Sequence, residues 1–184
     1  LALVGAIINA ALRRSLSGNT SGGFATLMIL GSFVVSLLLF MGHDPAAHPV
    51  KIVKFFDWIN VGGMEIPFAF KIDALSLTMM LIVTGVGSLI HLYSVGYMHD
   101  DKRVATFFAM LNLFTFAMLL LVMGANYLIT FIGWEGVGLC SYLLIGFWYT
   151  NTEFNYAARK AFVMNRIGDV GVVLGMCLLF NLFG

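Results

Sequence analysis

Charged side chains are scarce in this chain, with 10 lysines and arginines and 9 aspartates and glutamates among 184 residues. Hydrophobic residues make up 60% of the sequence. Soluble domains contain about 25% charged and about 45–50% apolar residues, so this composition excludes an ordinary soluble domain and indicates an integral membrane protein. The formal net charge of +1 also lacks the basic excess that nucleic-acid binding needs. We therefore expect the lipid bilayer, and no nucleic acid, as a partner.

Cysteine is also rare, and neither of the two residues indicates a chemical role. Cys140 and Cys177 lie in apolar stretches and form no CxxC pair, a pattern typical of small apolar side chains. The sequence contains no nucleotide-binding motif, no cysteine set for an iron–sulfur cluster and no pair of histidines at haem spacing. These absences predict that the chain itself binds no metal or cofactor and catalyses no redox step.

Charge-poor stretches of about 20 residues, the length of a membrane-spanning helix, recur along the chain. They predict an all-α polytopic transmembrane bundle of about six spans: residues 1–12, 22–41, 74–95, 104–123, 127–149 and 158–183. The first stretch is too short to span, and the last reaches the end of the chain. We therefore expect a fragment of a longer protein. A tight turn at residues 124–126 should separate the fourth and fifth helices.

The lysines and arginines of the connecting loops predict the orientation of the bundle. Alternation of the loops places six of them on one side: Arg13, Arg14, Lys102, Arg103, Arg159 and Lys160. The other side receives three: Lys51, Lys54 and Lys71. Because basic residues are enriched in cytoplasmic loops, the first side should face the cytoplasm, or the matrix of an organelle. The N-terminus would then lie outside.

The long connection at residues 42–73 lies on the predicted outer side. Apolar residues alternate near its end, which is typical of a β-strand: Ile66, Phe68, Phe70 and Ile72. A glycine-containing turn at 61–63 precedes them, so we predict a β-hairpin on the outer membrane face. An amphipathic helix at residues 51–60 is the alternative, because polar residues recur there at helical spacing.

Glu135 is the only charged residue between positions 104 and 149. A carboxylate near the centre of a bilayer costs ~2.5–3.5 kcal/mol on insertion scales, so it needs a partner or a function there. Glu135 lies ~12 Å along its helix from Tyr127, at ~1.5 Å per residue. Gly133, Gly136 and Gly138 lie around it and would let another helix approach closely. Proton transfer is the favoured role, and packing as interhelical hydrogen-bond glue is the alternative.

A second polar group lies on the last helix. Asn165, Arg166 and Asp169 are spaced to share one helix face, and Arg166 and Asp169 can pair at i and i+3. A role in proton transfer and a locally neutralised pair that only packs between helices are equally compatible with this spacing.

For three further polar residues, a structural role is the preferred explanation. Asp73 precedes the third helix and is expected to be its N-cap. His91 lies near the inner end of that helix, where we expect a hydrogen-bonded interfacial histidine, with proton entry as the alternative. Asn112 is predicted to hydrogen-bond between helices.

Four segments resemble signatures of one family, in the same order along the chain. The family is that of the antiporter-like, proton-translocating subunits of respiratory complex I (NADH:quinone oxidoreductase, chain L or chain 5 type). The segments are residues 71–76, 90–98, 131–147 and 165–169. Residues 131–147 look like the fifth helix of that family, and the resemblance runs from about residue 70 to the end. It implies that residues 1–184 are the N-terminal part of a single antiporter-like membrane domain.

The resemblance also implies roles for the membrane-embedded polar residues. Glu135 matches a mid-membrane glutamate that pairs with a lysine on the seventh helix, which would lie beyond residue 184. Asp169 and Arg166 match a polar pair on the sixth helix. These residues, with His91, are the candidate proton-transfer groups.

The resemblance further implies that the chain is a non-redox subunit of a proton-pumping enzyme. NADH, FMN, iron–sulfur clusters and quinone would bind to partner subunits of complex I. The expected location is the bacterial cytoplasmic membrane, with the mitochondrial inner membrane as the alternative. The large subunit of a multisubunit Na⁺/H⁺ antiporter and a structural membrane subunit without an ion path are the other two hypotheses.

Overall fold

The computed structural model describes residues 1–15, 17–43, 50–62 and 64–183. Its helices and strands are, in chain order, α1 (Ala2–Ala11), α2 (Gly18–Met41), β1 (Val50–Val61), β2 (Met64–Asp73), α3 (Ala74–Tyr97), α4 (Val104–Met123), α5 (Tyr127–Ile145) and α6 (Thr152–Phe183). All these helices except α1 are long and apolar enough to cross a membrane. The predicted polytopic helix bundle with a β-hairpin is therefore confirmed.

Two helices begin earlier than predicted, and capping side chains explain where they start. Helix α2 begins four residues earlier than expected, because Ser17 Oγ accepts a hydrogen bond from the Thr20 backbone N–H at 3.4 Å. Helix α6 begins six residues earlier, because Asn151 Oδ1 accepts one from the Glu153 backbone N–H at 2.9 Å. Helix α5 ends at Ile145, four residues before the predicted end. Hydropathy therefore located the spans and both ends of α4, but it missed the starts of α2 and α6 and the end of α5.

Helices α1 to α4 form one packed group, and α5 and α6 extend it on one side. Helix α2 packs along α3, while α4 contacts α1, α2, α3 and α5. Helix α6 packs mainly against α5 and is exposed over most of its length. The exposed surfaces carry many large apolar side chains, as expected for helices that face lipid or further helices.

The connection between α2 and α3 contains the predicted hairpin. Strands β1 and β2 pair antiparallel, from Val50 opposite Asp73 to Val61 opposite Met64. The chain reverses at Gly62, whose φ of 61° favours glycine. The alternative amphipathic helix at residues 51–60 is wrong. Aromatic pairs across the two strands favour the extended form, including Phe56 stacked on Phe68 with ring centroids 5.2 Å apart.

The hairpin is fixed to the turn between α4 and α5. The Ala125 backbone N–H donates to the Ala69 carbonyl at 3.2 Å, and Asn126 Nδ2 donates to the Pro67 carbonyl at 2.9 Å. Asn126 also caps α5, because its Oδ1 accepts from the Ile129 backbone N–H at 3.0 Å. One amide thus links the hairpin to the first turn of the helix that carries Glu135.

The loops at the opposite end of the bundle also contact each other. The Arg103 guanidinium donates to the Phe147 carbonyl at 2.5 Å and lies 4.5 Å from the centre of the Tyr149 ring. Trp148 Nε1 donates to Asp101 at 2.9 Å. The loops before α4 and after α5 therefore share one side, away from the hairpin, as the predicted alternation requires. The outward orientation of the N-terminus stays a prediction.

Asp73 is the N-cap of α3, as predicted. Its Oδ1 accepts from the Ser76 backbone N–H at 2.8 Å, and Ser76 Oγ accepts from the Asp73 backbone N–H at 2.9 Å. The Lys71 ammonium, 2.8 Å from the carboxylate, and the Ser76 N–H lower the pKa of Asp73. The cap is therefore a charged one at neutral pH.

Replacing Asp73 with alanine should loosen the first turn of α3. A lost N-cap costs about 1 kcal/mol, which corresponds to about fivefold faster amide hydrogen exchange. The lowered pKa means that the carboxylate contribution is fully present above the ordinary value of 3.8 and is lost as the pH falls through the folded-state pKa. The control Asp57→Ala, which removes an exposed partner of Lys54, should leave α3 exchange unchanged. Equal exchange in both variants would contradict this assignment.

Two substitutions of Asn126 should separate its two contacts. Asn126→Asp keeps an oxygen that can cap α5 but removes the donor to the Pro67 carbonyl, so hydrogen exchange should rise in β2 and stay slow at Ile129. Asn126→Ala should speed exchange at both places, because it also removes a cap worth ~0.5–2 kcal/mol. Identical exchange patterns in the two variants would show that the tether and the cap are not independent.

Candidate functional site

Glu135 is the ninth of the nineteen residues of α5. Its side chain is one quarter exposed and points to the boundary between α5 and α6. At ~1.5 Å per residue it lies ~12 Å from the start of the helix. A carboxylate this far into an apolar helix needs an opposite charge or a proton.

Arg166 supplies the opposite charge. Its Nη1 donates a hydrogen bond to Glu135 Oε2 in an ion pair between α6 and α5. The guanidinium also lies over the Phe162 ring, 4.7 Å from its centre, which adds a cation–π contact. The resemblance placed the partner of Glu135 on a later helix. The described residues already contain one cation for it.

Asp169 is the second carboxylate at Arg166. Its Oδ2 lies 3.5 Å from Arg166 Nη1, so the pairing at i and i+3 is present. Asp169 is only 5% exposed, and its other oxygen accepts a hydrogen bond from Trp134 Nε1 at 2.7 Å. Trp134 and Glu135 are neighbours in α5, so these three contacts and the α5 backbone connect four residues into a ring between the two helices. We call these four residues the Glu135 ring.

The charges of this ring do not cancel. Glu135 and Asp169 contribute two negative charges when both are ionised, and Arg166 contributes one positive charge, which leaves a formal charge of −1. Burying an uncompensated charge is costly, and this site is only partly buried: the side chains of Arg166 and Glu135 are 41% and 25% exposed.

Two of the three glycines around Glu135 allow α5 to approach α4. A Cβ at Gly133 would lie 2.6 Å from the Leu121 Cα, and one at Gly136 would lie 3.0 Å from the Ala117 Cβ. A Cβ at Gly138 would lie more than 4 Å from every side chain and from every other helix of the described residues. The prediction of a close helix contact at Gly138 is therefore wrong within this part of the chain. This close packing holds α5 against α4, on the face of α5 that points away from the ring.

Asn165 does not join the ring. It is exposed on α6, whereas Arg166 is half-buried and Asp169 is buried. The three positions span about 100° of the helix, with Asp169 between the other two, and Asn165 lies at the edge of that face away from Arg166, where it is exposed. Arg166 and Asp169 are one turn apart and can both face α5.

His91 lies in a different part of the molecule. It is 1% exposed, and its Nδ1 is 2.7 Å from the Gly87 carbonyl of the same helix. Helix α3 packs against α2 and α4, whereas the Glu135 ring lies between α5 and α6. His91 is hydrogen-bonded as predicted, but it is enclosed by helices instead of lying at an open interface.

Sequence reasoning missed two polar residues, one in the Glu135 ring and one outside it. Trp134 was part of the recognised segment, but nothing in its spacing indicated a bond to a residue 35 positions away. Asn9 is the one polar residue inside α1 and is fully buried. An amide alone in an apolar helix was a signal that could have identified it.

Within the described ranges, no three histidine, cysteine, aspartate or glutamate side chains lie together as a metal site would require. Cys140 is buried and Cys177 is exposed, and both are free thiols. The ring between α5 and α6 is thus built from charge and hydrogen bonds of the chain itself.

Two family models match the chain. One is described as NADH-Ubiquinone oxidoreductase (complex I), chain 5 N-terminus, and matches residues 58–108. The other is described as NADH:quinone oxidoreductase/Mrp antiporter, TM, and matches residues 124–184. Together they cover more than half of the chain, including the Glu135 ring.

Curated relatives cover nearly all of the chain. NADH-quinone oxidoreductase subunit L of Mycobacterium tuberculosis is 48% identical over 167 residues, which are 91% of this chain and 26% of the relative. NADH-ubiquinone oxidoreductase chain 5 of Allomyces macrogynus is 46% identical over 160 residues, which are 87% of this chain and 24% of the relative. The chain thus spans about a quarter of the length of these relatives, which are subunits of an enzyme complex.

A solved structure has the same fold. The structure of the Mrp complex from Dietzia sp. DQ12-45-1b matches with a TM-score of 0.80 over 97% of this chain and 18% of the matched chain, at 21% identity. The predicted multi-pass membrane location is confirmed by the spanning helices and by these bacterial and eukaryotic relatives. The chain belongs to the family of antiporter-like membrane subunits that includes subunit L, or chain 5, of NADH:quinone oxidoreductase and subunits of Mrp antiporters.

Proposed function

We propose that the chain is part of a proton-translocating membrane subunit of NADH:quinone oxidoreductase, in which Glu135 accepts and releases the translocated proton. The observation that carries the proposal is the sharing of one guanidinium by two carboxylates between α5 and α6. Such a site changes its affinity for a proton when the guanidinium changes partner. Packing glue would need no second carboxylate.

The proposed cycle uses the reach of Arg166. While its guanidinium is paired with Glu135, the carboxylate stays ionised, because an opposite charge at hydrogen-bond distance favours the charged form. A shift of Arg166 toward Asp169, 3.5 Å away, would leave Glu135 free to take up a proton from water. The return of Arg166 would release that proton. A lysine from a later helix, which the family resemblance implies, would compete for Glu135 in the same way.

Energy for the cycle would come from elsewhere in the complex. Each elementary charge moved across a membrane is worth ~2.3 kcal/mol per 100 mV, so translocation needs a driving reaction. We propose that partner subunits hold NADH, FMN, iron–sulfur clusters and quinone, and that this chain does no redox chemistry. Residues 1–184 would form the N-terminal part of one antiporter-like domain, consistent with the family description matched by residues 58–108.

Sodium–proton antiport is the second candidate function. The family model that covers the Glu135 ring is described for both NADH:quinone oxidoreductase and Mrp antiporters. The relatives at 46–48% identity are named as oxidoreductase subunits, whereas the Mrp match rests on fold at 21% identity. Proton flux that depends on sodium, without dependence on NADH or quinone, would favour the antiporter.

Glu135→Gln in the intact complex should leave assembly largely unchanged but lower proton pumping and the coupled turnover. Glutamine keeps the shape and can still contact Arg166, but it cannot bind the transferred proton. A positioned proton-transfer group contributes ~10²–10⁴-fold, so we expect a loss of about a hundredfold or more in flux through this subunit. Pumping is measured in vesicles. The control Glu153→Gln changes an exposed glutamate at the start of α6 and should pump normally. Wild-type pumping by Glu135→Gln, at normal assembly, would refute the proposal.

Trp134→Phe tests whether Asp169 is held by its hydrogen bond. The change keeps an aromatic ring but removes the donor to the buried carboxylate, so Arg166 should move toward Asp169 and away from Glu135. Hydrogen bonds to charged groups contribute ~1.5–3 kcal/mol, so pumping should fall by about an order of magnitude. Its pH profile should also shift.

Trp148→Phe is the matched control for this test, because it removes the same kind of bond, to Asp101, in a loop. Its pumping and pH profile should stay close to wild type. Equal profiles for Trp134→Phe and wild type would exclude Trp134 as a positioning residue.

A further inference from the structure

Helices α1 and α4 leave a groove of about 260 Å³ between them. Small side chains make room for it: Ala6 and Ala10 line it from α1, and Ala109 lines it from α4. Within the described residues, Arg13 is the one charged side chain in its lining and Thr106 is the one hydroxyl. The groove is therefore apolar along its length, with two polar side chains.

The two polar side chains lie at the same end of the groove. Farther along α1, a Cβ at Gly5 would lie 3.0 Å from Asn112 Nδ2, so the first turns of α1 lie beside the middle of α4. A Cβ at Gly18, the first residue of α2, would lie 3.4 Å from the Val104 side chain. The loop that carries Arg13 therefore lies beside the start of α4, where Thr106 is the third residue.

The groove has the depth of one leaflet of a bilayer. Leu3 and Arg13 line it at its two ends on α1, and they are ~15 Å apart along the chain at ~1.5 Å per residue. The hydrocarbon core of a bilayer is ~30 Å thick, so one leaflet contributes ~15 Å. A hydrocarbon chain that enters beside Arg13 can therefore follow the groove to the middle of the membrane.

The polar end of the groove is positively charged. Arg13 and Arg14 are adjacent and exposed in the loop after α1. The ion pairs formed by the described residues involve other cations. Asp101, three residues before α4, already accepts hydrogen bonds from Trp148 Nε1 and from the Arg103 backbone N–H. The lining itself contains no acidic side chain among the described residues.

These features specify a ligand with two parts. A guanidinium binds phosphate oxygens through parallel N–H donors, and the Thr106 hydroxyl can donate to a further oxygen. The rest of the groove suits hydrocarbon, because burying apolar surface is favourable. A phospholipid has both parts. Two arginines repel the cation of a zwitterionic headgroup, so the charge favours an anionic one, and basic pockets between transmembrane helices are known sites for such headgroups.

We propose that the groove between α1 and α4 binds one anionic phospholipid, with the phosphate at Arg13 and Thr106 and one acyl chain along the groove. The chain covers the small side chains of Ala6, Ala10 and Ala109 and holds α1 against α4. The site lies apart from the Glu135 ring, which is between α5 and α6, and it does not depend on the proposed proton transfer.

A photoactivatable phosphatidylglycerol, with a diazirine midway along one acyl chain, tests this site in the full membrane complex. On illumination it should label residues of the groove, such as Ile7 and Met110, and mass spectrometry locates the labelled peptides. Excess unlabelled phosphatidylglycerol should suppress this labelling, whereas phosphatidylcholine and inorganic phosphate should not. Suppression by inorganic phosphate, or equal labelling by a phosphatidylcholine probe, would overturn the proposal. An unlabelled groove, as a covering protein helix would produce, would also overturn it.

Three variants separate the headgroup contact from general surface charge. Arg13→Gln should lower groove labelling by about tenfold, because a hydrogen bond to a charged group is lost. The matched control Arg14→Gln removes the same charge from the next position, which does not line the groove, so labelling should stay within about twofold of wild type in salt that screens exposed charges. Ala10→Phe keeps both arginines but fills the groove and should abolish the labelling. Equal effects of Arg13→Gln and Arg14→Gln would refute the site.

A high-resolution map of the wild-type complex gives an answer even if the variants do not assemble. The expected result is density for a phosphate within hydrogen-bond distance of the Arg13 guanidinium, continuous with density for a hydrocarbon chain between α1 and α4. A protein side chain or helix that occupies the groove would refute the site.

Discussion

A carboxylate inside an apolar helix needs an opposite charge, and the arrangement of α5 and α6 follows from that constraint. Arg166 is placed so that one guanidinium reaches both Glu135 and Asp169. The resulting excess of one negative charge is tolerated because Trp134 donates to Asp169 and because the ring remains partly accessible. The same excess gives the site a reason to bind a proton, so the constraint on stability and the proposed function have one origin.

The remainder of the fold holds α5 in place for this ring. At the end of α5 nearer the hairpin, Asn126 ties the first turn to β2. Along its length, Gly133 and Gly136 let it lie against α4. At the opposite end, Arg103 binds the loop that follows α5. Helix α5 is thus held at both ends and along the face that contacts α4, and α6 packs against the face that carries Glu135.

Polar residues occupy two separate places in the bundle. The Glu135 ring is charged and partly exposed, whereas the cluster around His91 and Asn112 is neutral and enclosed. In a low-dielectric interior each polar group must be paired, protonated or hydrated. The ring meets this requirement with an ion pair, whereas the neutral cluster uses hydrogen bonds, such as that of Ser21 Oγ to Asn9 Oδ1 and that of His91 Nδ1 to the Gly87 carbonyl. Their separation lets each be perturbed without the other.

The sequence by itself determined the helical spans, the hairpin and the cap at Asp73, and it identified Glu135 as the candidate residue, because hydropathy, alternation and isolated charge are local properties of the chain. The family resemblance added the segment that contains Glu135 and the Arg166–Asp169 pair. Only the tertiary structure decided that Arg166 turns to Glu135, that Trp134 joins the ring, and that Asn165 and Gly138 stay outside it. Those contacts depend on the rotation and approach of helices that are far apart in sequence, and spacing along one helix carries no information about the helix that packs against it.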